Sequence, residues 1–320
     1  MKKLSSLIDY FYEEIYPDLI LLEKKREAIY KRLKTVLFIL ILLSFTTLFL
    51  TRKFAFTSFE ILSFYIIVPA SVFLFVYRME TKDFTVLFKD EVIGKLVGFI
   101  DKSLKYERSG YISSSEYFLS SLFDRSIDDY SGSDLVKGKI DGVILQFSEI
   151  HTQKEYEEKN RKRKVTVFRG LFFVGDFNKN FSGKTVVLPD NIENIFGSFA
   201  HFIQSLTAGE KMELVKMDNP LFEKEFVVYS TDQIEARYIL SNSLMEKILL
   251  YKRKLKRPVS ISFVNSKIYI AVSFDAPVFE PKIYKRVTDI KEIKGYFEIL
   301  SFMVDIVREL DLNRRVWTKY

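Results

Sequence analysis

The sequence predicts an α+β protein in which a pair of transmembrane helices precedes a largely antiparallel sheet domain with flanking helices. Residues 35–51 and 54–77 are two apolar segments separated only by Arg52 and Lys53. Beyond residue 109 the apolar residues change from the helical spacing of three and four to the alternation of strands. Roughly 210 residues follow, which is enough for one packed core.

The chain divides into four predicted segments. Residues 1–34 are expected to form cytosolic amphipathic and juxtamembrane helices, residues 35–77 a transmembrane hairpin, residues 78–108 a connecting helix and residues 109–320 a cytosolic α+β domain. In the first segment, apolar residues recur at spacings of three and four, as in an amphipathic helix. These residues are Leu4, Leu7, Ile8, Phe11 and Ile15. Pro17 is expected to end this helix or to begin the next.

The two apolar segments are long enough to cross a bilayer. As helices they would measure about 25 Å and 36 Å at ~1.5 Å per residue, and a hydrocarbon core of roughly 30 Å needs about 17 to 25 apolar residues. A cleaved signal peptide does not fit, because the first segment starts far from Met1 and the second follows at once. A buried helical hairpin in a soluble core remains the alternative.

Basic residues predict the orientation of the hairpin. They flank both of its ends, whereas its turn holds only Arg52 and Lys53. The positive-inside bias therefore places both termini in the cytoplasm and the turn of the hairpin outside. The same flanking bases are candidates to bind anionic lipid headgroups. The candidate contacts are Lys24, Lys25, Arg26, Lys31, Arg32, Lys34 and Arg78.

Glu60 is a candidate intramembrane polar site. It lies about 9 Å along the predicted second helix from Phe54, near the outer interface. An interfacial carboxylate and a role in ion passage or helix pairing both fit this position.

The distribution of charge argues against nucleic acid as a partner. Residues 1–89 carry 13 Lys and Arg against 9 Asp and Glu, and residues 90–320 carry 36 against 33. The excesses of +4 and +3 sum to the formal net charge of +7, so the basic excess is concentrated beside the hairpin. A nucleic-acid reader is expected to show the reverse, with a strongly basic domain. The absence of cysteine agrees with a reducing compartment.

Alternating apolar residues predict a sheet of seven or eight strands. Two hairpins are expected to turn at Asp141-Gly142 and Asn265-Ser266, because turn-forming residues separate alternating runs there. The stretch "VTVFRGLFFV" becomes apolar on both faces, which is typical of a central strand. Three shorter predicted strands are "KTVVLPD", "MELVKM" and "EFVVY".

Three helices accompany the predicted sheet. They cover residues 192–206, 243–255 and 289–311, and Ser243 with Glu246 has the spacing of a capping box at the start of the second. A sheet of this size with a C-terminal helix suggests a pleckstrin-homology-like domain, although only by analogy.

Four stretches resemble a bacterial membrane-protein family catalogued as domain of unknown function 3137. They are "SSLFDRSIDDYSGSDLVKGKIDGVILQFSE", "VFRGLFFVGDFNKNFSGKTVVLP", "NPLFEKEFVVYSTDQIEARYILSNSLMEKIL" and "LDLNRRVWTK". The resemblance covers most of residues 80–320. It implies paired membrane segments and a LemA-type membrane protein as a partner. It implies no reaction, because the family has no established activity.

The preferred interpretation of the sequence includes no catalytic residue, no cofactor and no bound metal. His151 and His201 have no thiol, carboxylate or second histidine at metal-ligand spacing. The preferred hypothesis is therefore a non-enzymatic interaction module for a protein partner or anionic lipid. The alternative is a membrane-bound metal-dependent enzyme that uses a cluster of aspartates. The cluster comprises Asp124, Asp128, Asp129, Asp134 and Asp176.

One strongly charged run has two interpretations. Residues 154–164, "KEYEEKNRKRK", mix both signs, which favours an exposed hairpin loop. If the bases cluster on one side, they could instead bind anionic lipid. Those bases are Arg161, Lys162, Arg163 and Lys164.

Overall fold

The computed structural model describes residues 4–51, 59–123, 126–158, 161–177, 181–190, 212–310 and 312. The chain falls into two compact units. The first consists of residues 1–95 and 279–296, and the second of residues 96–278 and 297–320. The predicted fold class is confirmed, since long apolar N-terminal helices are followed by an antiparallel sheet with flanking helices.

The first unit begins with a nearly continuous helix. Helix α1 (Leu4–Tyr10) leads through a π-helical turn (Phe11–Ile15) into helix α2 (Tyr16–Thr51). Of the two outcomes expected at Pro17, the chain does not break there, but Pro17 does lie in the first turn of α2. The π-helical turn immediately precedes this proline, and the Tyr16 N–H bonds the Phe11 carbonyl five residues back. A widened turn of this kind beside a proline keeps the helix continuous.

The π-helical turn keeps one apolar face in phase. Leu7, Phe11, Ile15 and Leu19 are all buried, although each lies four residues after the one before. In an ordinary α-helix three such steps would rotate the face by about 120°. The π-helical turn takes up the extra residue, so the buried face continues to Leu22.

The second long helix of the first unit is α3 (Phe59–Phe88), with Pro69 inside it. It continues through a π-helical turn (Lys89–Ile93) into helix α4 (Gly94–Ile100). The predicted connecting helix, expected to reach residue 108, ends earlier. The Asp101 side chain accepts the Ser103 N–H at 2.8 Å and thereby competes with continued helix formation.

The second unit is built on one nine-stranded sheet in the described part of the chain. Its strands are β1 (Lys105–Glu107), β2 (Asp129–Ile140), β3 (Val143–Glu158), β4 (Arg161–Asp176), β5 (Thr185–Pro189), β6 (Glu213–Leu214), β7 (Phe226–Ser230), β8 (Val259–Val264) and β9 (Lys267–Ser273). The spatial order is β1-β2-β3-β4-β9-β8-β5-β7-β6, and neighbouring strands are antiparallel. Strands β1 and β6 lie at the two ends, so the order is that of an open sheet rather than a closed pleckstrin-homology-like barrel.

Both predicted hairpins are confirmed. Asp141 and Gly142 join β2 to β3, and Asn265 with Ser266 joins β8 to β9. All four residues have positive φ, the backbone that two-residue turns require. The charged run of residues 154–164, in contrast, is no loop: its described residues extend β3 and β4. Alternating side chains pair across these two strands, as in the 2.6 Å ion pair between Glu155 and Lys162.

Five helices complete the described elements. They are α5 (Ser114–Leu119), α6 (Pro220–Glu223), α7 (Gln233–Ile239), α8 (Asn242–Leu255) and α9 (Ile290–Glu309). The predicted capping box at Ser243 is wrong, because α8 starts one residue earlier and its N-cap is Ser241, whose side chain makes no capping hydrogen bond. The predicted helix of residues 192–206 lies outside the described residues.

The sheet is buried on both faces near its centre. Phe172 belongs to an aromatic cluster in which Tyr117 stacks on Phe123 with ring centroids 4.4 Å apart. Phe173 points to the opposite face and is also fully buried. This two-sided burial confirms that β4 is a central strand and explains its continuous apolar run.

Candidate membrane-proximal site

Helices α2 and α3 carry a band of exposed apolar side chains. Phe38, Phe45 and Ile66 are 67%, 68% and 69% exposed. Both helices are long and apolar enough to cross a membrane. A hairpin from a soluble core would bury these side chains, so their exposure argues against that alternative.

The apolar band ends where Arg32 of α2 meets Glu80 of α3, with Nη1 and Oε2 3.3 Å apart. Close to this pair, the Lys34 ammonium lies 4.6 Å from the centroid of the Tyr30 ring. The other predicted lipid contacts on these helices are exposed, with one exception. The exposed residues are Lys24, Lys25, Lys31, Arg32, Lys34 and Arg78.

Arg26 is the exception, and its assignment as a lipid contact is wrong. It is only 5% exposed, and its guanidinium bonds both carboxylate oxygens of Glu23 at 2.7 and 2.9 Å. It also donates to the Ile283 carbonyl at 2.7 Å. The guanidinium therefore bonds groups of the protein itself, and Arg26 holds a distant loop against α2.

Glu23 completes this clamp. Its Oε2 accepts the Val287 N–H at 3.0 Å, so one ion pair on α2 binds the backbone of the loop at two points. Burial raises the pKa of Glu23, which lies outside the predicted spans, but the hydrogen bonds from Arg26 and from the Val287 N–H outweigh burial and lower it. The carboxylate is therefore ionised at neutral pH.

The clamped loop comprises residues 279–287. Phe279, Ile283 and Val287 are buried, and they fix the loop within the first unit. The residues between these anchors face outward: Lys282, Tyr284, Lys285 and Arg286. Tyr284 is 65% exposed, and Lys285 forms an ion pair with Glu292.

The loop reaches the end of the predicted second span. Tyr77, the last residue of that span, lies near Glu280 and Tyr284 of the loop. An exposed aromatic ring beside exposed bases at this level has the composition of a membrane–water interface. Sequence reasoning did not include this loop, although "PKIYKR" mixes bases with an aromatic residue and offered the same signal as the helix flanks.

A shallow depression lies beside the loop. Phe88, Lys282, Lys285, Arg286 and Tyr296 contribute to its lining, and its empty space is about 220 Å³, part of which is open to solvent. Small-molecule substrate pockets are usually enclosed and larger, roughly 300 to 1,000 Å³. The depression is therefore too small and too open for a buried substrate. Glu292, which pairs with Lys285, lines it as well.

The structure gives no support to the predicted aspartate metal site. Among the described residues, no group of three His, Cys, Asp or Glu side chains converges to hold a metal. Asp128 accepts the Glu155 N–H, Asp129 pairs with Lys164, and Asp134 accepts the Tyr106 hydroxyl. Asp124 lies outside the described residues.

The remaining polar candidates offer no reaction centre. His151 lies on β3, half-buried, and burial with the nearby Arg169 guanidinium lowers its pKa. The helical backbone at Glu60 is described, but its side chain lies outside the described part of the structure, as does His201.

The comparisons with known proteins concern the sheet domain. A family model matches residues 166–312, from within β4 to just beyond α9, and the family is described as a protein of unknown function (DUF3137). The match covers 147 of the 320 residues, somewhat less than half of the chain. The DUF3137 match confirms the resemblance seen in the sequence over these residues, and its description names no activity.

One solved structure is also similar. It is the crystal structure of the mycobacterial trehalose monomycolate transport factor A, TtfA, with 12% sequence identity and a TM-score of 0.32 over 68% of this chain and 96% of that one. A likeness at this TM-score carries no argument. No curated protein matches the chain.

Proposed function

We propose that this DUF3137 protein is a non-enzymatic, membrane-anchored interaction module whose membrane-proximal face binds anionic phospholipid headgroups. The observation that carries the proposal is the clamped loop: Arg26 and Glu23 fix it beside the apolar helices, with Lys282 and Arg286 exposed. A buried ion pair is weak evidence for stability, so stability alone does not readily explain why one holds a basic loop in this position.

Electrostatics supports a headgroup partner. A base near an anionic surface contributes on the order of 1 kcal/mol. Arg32 and Lys285 are paired with carboxylates, whereas the following bases are exposed: Lys24, Lys25, Lys31, Lys34, Arg78, Lys282 and Arg286. Tyr284 adds an amphipathic ring of the kind enriched at bilayer interfaces.

The proposal includes the location and orientation predicted from the sequence. The helices would span the bacterial inner membrane, with both termini and the sheet domain in the cytoplasm. A LemA-type membrane protein, which the family resemblance implies as a partner, would meet the module in the same bilayer. Its co-purification with the tagged protein in mild detergent would test that partnership.

The lipid contact can be tested by native mass spectrometry of the full-length protein released from mixed micelles that contain phosphatidylglycerol. Lys282→Gln with Arg286→Gln should weaken phosphatidylglycerol binding roughly thirtyfold, since each base contributes on the order of 1 kcal/mol. Lys102→Gln with Lys105→Gln removes the same charge from the sheet domain and should leave binding unchanged. Equal binding by both double variants would contradict the proposal.

A further inference from the structure

The hairpin of β3 and β4 extends beyond both of its neighbours. Strand β2 pairs with β3 only as far as Gln153, and β9 pairs with β4 only from Gly170 onward. Between Lys154↔Val165 and the tip, five residue pairs project from the sheet, a length of about 16 Å. Residues 154–158 and 161–169 are called the ribbon below.

The β3 edge of the ribbon is covered at its base, as far as Glu155. The Asp128 N–H bonds the Gln153 carbonyl at 3.0 Å, and the Asp128 carboxylate accepts the Glu155 N–H at 2.6 Å. The Lys154 ammonium bonds the Ser126 hydroxyl at 2.6 Å. Asp128 thus stands where a neighbouring strand would lie and satisfies the backbone of β3.

Among the described residues, no strand pairs with the β4 edge of the ribbon. The next backbone contact on that side within the described chain is the bond from the Phe274 N–H to the Arg169 carbonyl, at 2.8 Å. Residues 162–166 are all exposed. An exposed edge strand presents unpaired N–H and C=O groups that can template a further strand.

The charge of β4 selects what can pair with it. Residues 161–169, "RKRKVTVFR", contain five bases and no acid. On the neighbouring strand β3, acids lie opposite two of these bases: Glu155 lies opposite Lys164 and Glu157 opposite Lys162. Strand β3 therefore shows, within this chain, the kind of acidic, alternating sequence that pairs with the basic strand β4.

The bases of β4 that already form ion pairs could also bind the acids of a second strand. Lys162 and Lys164 are paired with Glu155 and Asp129, but both ammonium groups remain largely exposed. Arg163 is exposed and contacts no acceptor among the described side chains. A second copy of the chain would bring a second basic edge against the first, so self-pairing through β4 is opposed by like charge.

We propose that the open edge of β4, residues 161–168, binds an extended acidic segment of a partner protein that adds a strand to the sheet. Backbone hydrogen bonds would supply register-dependent affinity. Alternating acids opposite Lys162 and Lys164 on one face of the strand, or opposite Arg163 on the other, would supply specificity. This site lies in the second unit and does not depend on the lipid contact proposed above.

The probe for the test is a labelled peptide of the chain's own residues 150–158, "IHTQKEYEE", added to the full-length protein in nanodiscs of neutral lipid. Hydrogen exchange read by mass spectrometry should show protection of the β4 amides of residues 162–168 and unchanged protection of β3. The charge-reversed peptide "IHTQKKYKK" should give no protection. Loss of protection in β3 would mean that the peptide displaces it, and would overturn the proposal.

Two matched variants separate pairing at the edge from general attraction. Lys162→Glu with Arg163→Glu should weaken peptide binding roughly tenfold or more in fluorescence anisotropy. Lys102→Glu with Lys139→Glu makes the same charge change outside the ribbon and should preserve binding. Equal binding by both variants, or unprotected β4 amides in the wild type, would overturn the proposal. Protection by phosphatidylglycerol nanodiscs without peptide would assign the edge to lipid and overturn it as well.

Discussion

Arg26 shows how burial changes the role of a single residue. In the sequence it is one of six bases between residues 24 and 34, and nothing in its neighbours separates it from Lys24 or Lys25. In the structure it alone of these three is buried, because its partners Glu23 and the Ile283 carbonyl come from its own helix and from a loop more than 250 residues away. No local pattern announces such a contact.

Arg26→Ala should therefore destabilise the protein. It leaves the Glu23 carboxylate half-paired in a buried position, a loss of about 3 kcal/mol in the free energy of unfolding. Lys25→Ala, one residue earlier and exposed, is the control and should change little. Thermal unfolding of the full-length protein in detergent measures both, and similar melting temperatures for the two variants would argue against the clamp.

Asp305 on α9 gives a pH-dependent prediction. Burial raises the pKa of this carboxyl group, although Arg308 and Lys254 act in the opposite direction. A raised folded pKa means that ionisation opposes folding, so its cost is present at neutral pH and disappears as the pH falls below the ordinary value of 3.8.

Asp305→Asn should accordingly raise the free energy of unfolding at pH 7 and lose this advantage near or below pH 3.8. Denaturant unfolding in detergent at the two pH values measures the difference. Glu298→Gln, an exposed carboxylate on the same helix, is the control. A stabilisation that is the same at both pH values would show that ionisation is not its cause.

Among the secondary-structure elements, the sequence predicted those that depend only on residues close together in the chain. The turns at Asp141-Gly142 and Asn265-Ser266 need only positive φ at two residues, and both were found. Strand β1 was missed because Lys105–Glu107 is three residues long and has no apolar alternation. The ribbon was taken for a loop because charged residues form a strand there only through pairing across the hairpin.

Gly170 carries a prediction for the junction of β4 with β9. A Cβ at this position would lie 1.9 Å from the Val272 carbonyl oxygen, and the backbone φ is +156°. Gly170→Ala should push the two strands apart and destabilise the domain by about 3 kcal/mol or more. Gly98→Ala, where a Cβ meets nothing within 4 Å, is the control and should not destabilise. Equal melting temperatures would contradict this geometry.

For the whole molecule, the sequence predicted an apolar hairpin followed by an antiparallel domain, because segment length and apolar period are properties of the chain itself. The sequence also predicted about half of the residues of the candidate site. The helix flanks were identified by charge, whereas the loop of residues 279–287 joins them only after folding. The aspartate cluster failed for the same reason, since strand pairing directs its members to separate partners.

The topology of the anchored protein makes a direct prediction. The chain has no cysteine, so single cysteines can be introduced without background. Lys53→Cys, between the two predicted spans, should react with a membrane-impermeant maleimide on spheroplasts, because the proposed orientation places this position outside the membrane. Lys102→Cys should react only after the membrane is opened. Reaction of Lys102→Cys on intact spheroplasts would reverse the orientation.

The widened turn at Phe11–Ile15 has a consequence for comparing this chain with others. It holds one residue more than an ordinary helix needs, and the faces before and after it stay aligned only because of that surplus. Removing any one of the three residues between Phe11 and Ile15 would leave the same buried side, and the helix would be regular if Pro17 were replaced as well, since a proline inside an ordinary helix kinks it. A homologue with a single-position gap here should therefore superpose on both flanks, and the gap would mark a tolerated length polymorphism rather than a shift of register.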